Sequence, residues 1–266
     1  MGLTIAVAGK GGTGKTTVAA LIIGHLKNNT DGPILAVDAD PTANLGEAIG
    51  LTPVTSIGTT LAEFRENLAD LPPSIPKHEY LQTKLAEILI EGKKVDLLVM
   101  GRQEGQGCYC YPNQILRQYL DMLAKNYPYV IIDNEAGMEH LSRRITQDID
   151  ALLLVSDPTV RGVKTAGALR DLVKELHLTV KSIYLLVERL RADLNPVVRE
   201  EIEQQELELI QTIPEDDAII DYSLRSQSLT ELREDSPAVR SINSLMRRLI
   251  VKEAINCGIM NKHERI

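Results

Sequence analysis

Ile5–Leu21 reads IAVAGKGGTGKTTVAAL: four apolar residues, a turn holding four glycines and two lysines, then an apolar segment of helical period. Gly9, Lys10, Gly11, Gly12, Thr13, Gly14, Lys15 and Thr16 spell G-x-x-x-x-G-K-[ST] between a strand and a helix, the context in which that pattern forms a phosphate loop. The glycines let the backbone turn tightly and aim its N–H groups inward, and the start of the following helix adds a favourable field for an anion. The motif assigns residues Gly9 to Thr17 to nucleotide binding, Lys15 to the β- and γ-phosphates, and the Thr16 hydroxyl to Mg²⁺.

Outward from this loop, short apolar runs recur: LTIAVA (3–8), ILAVD (34–38), VDLLVM (95–100), YVIID (129–133), ALLLVS (151–156), IYLLV (183–187) and LELIQTI (207–213). Unbroken Val/Ile/Leu runs suit strands covered on both faces. They predict an α/β fold, a three-layer P-loop NTPase whose mainly parallel sheet of seven or eight strands is wrapped by helices on both faces. Helical spacing predicts helices from Lys15 and over about 113–126, 163–176 and 238–255. PPSIP (72–76) marks an excursion between the second and third strands. A length of 266 residues is within the reach of one such domain, spanning 1–266.

Composition removes several classes of partner. A net charge of −8, no Trp, one Phe and no Lys/Arg-rich run leave neither the electrostatic footprint nor the stacking platform that nucleic acid needs. No apolar run approaches the roughly 18 residues of a membrane span. The start MGLTIAVAGKGG lacks a basic leader, and Ala6 stands where a myristoylation signal wants Ser or Thr, so a cytoplasmic protein is expected. Three cysteines are too few for a disulfide scaffold and point to free or metal-bound thiols.

Two carboxylate segments complete the phosphate chemistry. AVDADPTANLG places Asp38 and Asp40 at the end of a strand, where open α/β sheets bind ligands. YVIIDNEAGMEHLSRR supplies Asp133 after four apolar residues and then Gly137, a D-x-x-x-G pattern. Asp133 is expected to hold Mg²⁺ through water, and Gly137 to let the backbone swing as a second switch. Glu135, Glu139 and His140 follow on that segment, His140 as a surface group.

Lys10 adds a second lysine to the turn, and with it G-K-G-G-x-G-K-T resembles the deviant P-loop ATPases related to nitrogenase iron protein and the septum-positioning ATPases. The resemblance implies that Lys10 crosses a homodimer interface to the partner's nucleotide, making Lys10, Lys15 and Asp40 the catalytic set. It implies further that Asp40 orients the attacking water and that Asp38 joins Thr16 and Asp133 around magnesium. Many relatives place an Asn after the sixth core strand to bind adenine. Here YLLVERL puts Glu188 at that point. Glu accepts hydrogen bonds but does not donate, so it suits the adenine amino group and disfavours the guanine carbonyl.

EGQGCYCYP (104–112) holds Cys108 and Cys110, just before a predicted helix start that favours the thiolate form metals require. Two thiolates are half of a four-coordinate site, and a two-fold axis through the pair would supply the other half. With GRQEGQGCYC and DNEAGMEHLSRR together, the whole chain resembles the CooC/AcsF-type nickel-maturation ATPases of carbon monoxide dehydrogenase and acetyl-CoA synthase. That resemblance implies ATP-dependent insertion of Ni²⁺ into a client enzyme's cluster, with the ion held at Cys108 and Cys110. The same thiolates accept Zn²⁺. A second reading, an iron–sulfur reductase or cluster carrier resembling nitrogenase iron protein, also uses four interface cysteines. The C-x-C spacing leaves little room for a cubane.

Overall fold

The computed structural model describes residues 2–53, 55–67, 76–101, 110–135 and 149–256, with the side chains of 110–114, 117 and 254–256 outside the description. Seven strands form one parallel sheet: β1 (Leu3–Gly9), β2 (Ile34–Ala39), β3 (Val95–Val99), β4 (Tyr129–Asn134), β5 (Ile149–Ser156), β6 (Val180–Leu190) and β7 (Leu209–Pro214). Their order is β3-β2-β4-β1-β5-β6-β7. Each of the seven apolar runs read from the sequence is a strand, and all pairings between neighbours are parallel. The expected PPSIP excursion lies almost wholly outside the described residues.

Alternation along each buried strand divides the core into two layers. Ala6 and Ala8 of β1 face one side with Leu35 and Val37 of β2; Ile5 and Val7 face the other with Ile34 and Ala36. Helices α3 (Ile57–Glu66), α4 (Lys77–Glu87), α5 (Cys110–Ala124), α6 (Val160–Glu175) and α7 (Pro196–Gln204) cover the first side through residues such as Leu61, Leu81, Leu116, Val163 and Val198. On the second side lie α1 (Lys15–Asn29), the short α2 (Leu45–Ile49), a 3-10 turn (Leu229–Glu231) and α9 (Pro237–Asn256). The eight-residue α8 (Asp217–Leu224) follows β7. Helices α5, α6 and α9 start one to three residues before the positions that helical spacing gave.

The helix starts show where the fold is closed and where it is open. Ser56, Thr159, Asn195 and Asp216 cap α3, α6, α7 and α8 with side-chain oxygens on backbone N–H groups. Helix α1 begins instead after Gly14 in the left-handed region (φ 76°), with no side-chain cap and no acid in its first turn. Its N–H groups are left for an external anion. The opposite end of α1 is closed: Lys94 Nζ donates to the carbonyls of Lys27 (3.1 Å) and Thr30 (2.9 Å).

Candidate nucleotide site

Because the strands are parallel, every strand's carboxyl end lies on one rim, and α1 begins there too. The register sets the carboxylates side by side: Asp38 of β2 is level with Asp133 of β4, and Asp133 is level with Val7 of β1. Thr16, one residue into α1, donates its hydroxyl to Asp133 Oδ2 at 2.5 Å. Thus the residues predicted to surround magnesium, Thr16, Asp38 and Asp133, meet at one point.

That point suits a cation. Asp133 is 1% exposed and its Oδ1 has no hydrogen-bond partner, a costly arrangement for a buried acceptor unless something positive fills it. Burial pushes the Asp133 carboxyl up to about 7; the Thr16 hydrogen bond and Lys15 oppose this, and Asp38 and Asp40 add to it. Burial likewise raises Asp38 to about 6 against its backbone hydrogen bonds. A divalent ion would relieve both, with Thr16 Oγ1 to ligate it and the unpartnered Asp133 oxygen to hold it through water.

Asp38 does a further job in this state. Its Oδ2 accepts from Leu45 N (2.8 Å) and its Oδ1 from Asp40 N (3.1 Å), so it shapes the turn that carries Asp40. Asp40 Oδ1 in turn accepts from the backbone N–H (2.9 Å) and hydroxyl (2.6 Å) of Thr42. In the phosphate loop, the Lys10 carbonyl gathers Thr13 Oγ1 (2.8 Å) and Lys15 Nζ (3.4 Å). Lys15 is buried at the loop's centre, while the Lys10 side chain is exposed.

At the other end of the loop a cavity of about 320 Å³ opens between Gly14, Thr17, Val18 and Leu21 on one wall and Glu188, Arg189, Ile213–Asp216, Ile219 and Ile220 on the other. It has aliphatic faces and one buried carboxylate, Glu188, 5% exposed. Glu188 packs so closely on the loop that a Cβ on Gly14 would sit 2.1 Å from its Oε2, and Gly14 already needs its left-handed backbone. Burial raises the Glu188 carboxyl above its ordinary value, the Arg189 guanidinium holds it back, and Asp157 adds to the rise.

The structure therefore brings together Gly9, Lys10, Gly11, Gly12, Thr13, Gly14, Lys15, Thr16, Thr17, Asp38, Asp40, Asp133 and Glu188 on one rim. Gly137, Glu139, His140, Cys108 and Cys257 lie outside the described residues, and Cys110 is placed only as the first residue of α5. Among the described residues no cluster of three or more His, Cys, Asp or Glu is set to hold a metal, and no helix is long and apolar enough to cross a membrane. Two neighbours escaped the sequence reading. Asn134 is 1% exposed, with Nδ2 donating to the Val7 carbonyl (3.1 Å) and Oδ1 without a partner. Arg189 Nε donates to Glu188 Oε1 at 2.6 Å, and its Nη2 donates to the Gly12 carbonyl. Adjacency to Asp133 and Glu188 was the one available signal for either.

Residues 4–229 match the CobQ/CobB/MinD/ParA nucleotide binding domain family. An uncharacterized ATP-binding protein of Methanocaldococcus jannaschii is 38% identical over 94% of this chain and 100% of its own length. The carbon monoxide dehydrogenase accessory protein CooC of Rhodospirillum rubrum is 30% identical over 97% of this chain and 100% of its own. Among solved structures, the Pyrococcus furiosus cell division ATPase MinD superposes with a TM-score of 0.68 at 22% identity, covering 95% of this chain and 100% of that one, a likeness of fold. A phosphate loop, paired acids at the strand ends and this match over most of the chain agree: the protein belongs to the CobQ/CobB/MinD/ParA family of P-loop ATPases.

Proposed function

We propose that this protein is a one-domain, ATP-hydrolysing metallochaperone that works as a homodimer and delivers nickel to the metal cluster of a carbon monoxide dehydrogenase or acetyl-CoA synthase. The observation that carries the reading is the full-length similarity to the CooC accessory protein in a chain that also holds the Cys108/Cys110 pair. Topology supports it. The segment with both thiols leaves the carboxyl end of β3, the rim that carries the phosphate loop and the Asp40 turn, and Cys110 opens α5.

The residues divide the work as follows. The loop N–H groups and Lys15 bind the phosphates, and the Lys10 ammonium, exposed in one copy, reaches the partner's nucleotide in the dimer. Asp40 leaves its turn with Thr42 to orient the attacking water; phosphoryl transfer asks chiefly for such positioning and charge stabilisation. Thr16, Asp38 and Asp133 would hold Mg²⁺, which would supply charge neutralisation at the phosphate oxygens. Glu188 accepts from the adenine amino group at the far end. Dimer closure on ATP gathers four thiolates from two copies around one ion, and hydrolysis releases it. Thiolates do not by themselves prefer nickel to zinc, so geometry and supply select the cargo.

Metal content tests this. Protein loaded with nickel beside a non-hydrolysable ATP analogue is expected to carry about one ion per dimer, the number that completes a tetrahedral four-thiolate site. The Cys108→Ala/Cys110→Ala protein is expected to carry none. Equal stoichiometry in both proteins overturns the proposal.

A further inference from the structure

In a regular strand, successive side chains point to opposite faces, so Glu188 and Arg189 should diverge. They do not. The pairing of β6 with β7 shifts register between Val187 and Leu190, and Arg189 adopts φ 56°, the left-handed region that residues with a Cβ seldom enter. This bulge turns both side chains toward the phosphate loop: Glu188 onto Gly14, and Arg189 across to the Gly12 carbonyl. Bulges that re-aim a side chain in this way concentrate beside active sites.

We infer that Arg189 is a positioning residue that sets nucleobase preference, acting through Glu188 and tying the base cavity to the first turn of the phosphate loop. The inference rests on the reading of that cavity as the base pocket. Its logic is hydrogen-bond polarity. An ionised carboxylate only accepts, so it takes the exocyclic amino group of adenine and rejects the carbonyl oxygen that hypoxanthine carries at the same place. A protonated carboxyl can donate, and would tolerate that carbonyl. Glu188 is buried near a second acid, Asp157, with Arg189 as the cation bonded to it. The Arg189 guanidinium, bonded to Glu188, therefore favours its ionised, accepting form. The guanidinium is half exposed and reaches Glu188 and Gly12 with different nitrogens, a span that a lysine ammonium does not reproduce.

ADP and IDP differ at C6, amino against carbonyl, and at the adjacent N1, acceptor against N–H donor; with Glu188 facing the C6 group they make the test, and their dissociation constants with Mg²⁺ can be measured by calorimetry without any need for turnover. The wild type is expected to prefer ADP by about tenfold or more, the direction of discrimination shown by sites that hydrogen-bond a ligand NH. Arg189→Gly suits the left-handed backbone, so it should fold, and it is expected to lose most of that preference. Arg189→Lys should retain part of it, and Glu188→Gln, which can both donate and accept, should level the two ligands. A purely structural role for Arg189 would weaken ADP and IDP by the same factor; an unchanged ratio in Arg189→Gly therefore overturns the inference. If Glu188→Gln shifts the ratio while Arg189→Gly does not, only the role of Arg189 fails. If neither shifts it, the base-pocket reading fails as well.

Discussion

At the amino end of the sheet, Asp150 accepts from the Thr4 backbone N–H (2.7 Å) and Lys181 Nζ (2.5 Å), and Asp96 accepts from the Tyr127 hydroxyl (2.5 Å) and Gly92 N (2.9 Å). At the carboxyl end, Asp133 stands level with Asp38, shares a hydroxyl with Thr16, and leaves one oxygen without a partner at 1% exposure. The first pair of acids is satisfied by the fold itself and ties strands and loops together. In the second pair Asp38 is bonded by Leu45 N and Asp40 N, while Asp133 is held short of satisfaction, in a position where like charges and burial both penalise ionisation. A fold tolerates that cost where a ligand is to complete the bonding. The difference identifies the working end of the molecule without reference to any motif.

Three changes would break or sharpen the contrast, and the largest is at Asp133. Asp133→Ala removes the proposed magnesium contact, and phosphate release from Mg²⁺–ATP is expected to fall by roughly a hundredfold or more, as losses of transition-state electrostatics do. The folded state should be no less stable. A steady-state phosphate assay beside a urea titration checks both; a destabilised but fully active variant would place Asp133 with the structural acids.

Next comes the pH dependence of stability without nucleotide. The folded pKa of Asp38 is raised to about 6 and that of Asp133 to about 7, above an unfolded value of 3.8. The native state then binds more protons than the unfolded state between these limits. The stabilising contribution is present below about pH 4 and is lost as pH rises through 6 to 7, on the order of 3 kcal/mol per group before coupling between them is counted. Denaturant midpoints measured from pH 5 to 8 should decline, and Asp133→Asn should remove much of the slope. Adding Mg²⁺–ADP should flatten it as well. A flat profile for the unliganded wild type would mean that the rim acids are already paired.

The smallest effect is expected at the amino end. Asp150→Ala strips the Thr4 N–H of its acceptor and removes one ion pair of Lys181, which should cost about 1–3 kcal/mol of stability. Nucleotide affinity of the folded fraction should stay unchanged. A tenfold loss of affinity without loss of stability would erase the distinction between the two ends.

Much of the contrast was legible in the sequence, for unequal physical reasons. The seven strands stood out because burial on both faces demands unbroken apolar runs, and the rim followed from parallel pairing. Asp38, Asp133 and Lys15 could be placed because each closes a strand or opens a helix at a motif. Helix α4 has the weaker signal: its buried face is Leu81 and Leu85 alone, against Ile57, Gly58, Thr60, Leu61 and Phe64 in α3. Arg189 was hidden because a bulge reverses the alternation on which strand reading depends. Asn134 was hidden because its role comes from β1, far away in sequence.

Magnesium-dependent phosphate release from ATP, compared between the wild type and Lys15→Ala, tests the central claim that the carboxyl rim is a nucleotide engine. The account predicts release that requires Mg²⁺ in the wild type and is abolished by the substitution, with the fold intact by circular dichroism. Release that survives in Lys15→Ala, or a wild type that releases no phosphate while binding ATP, would contradict it.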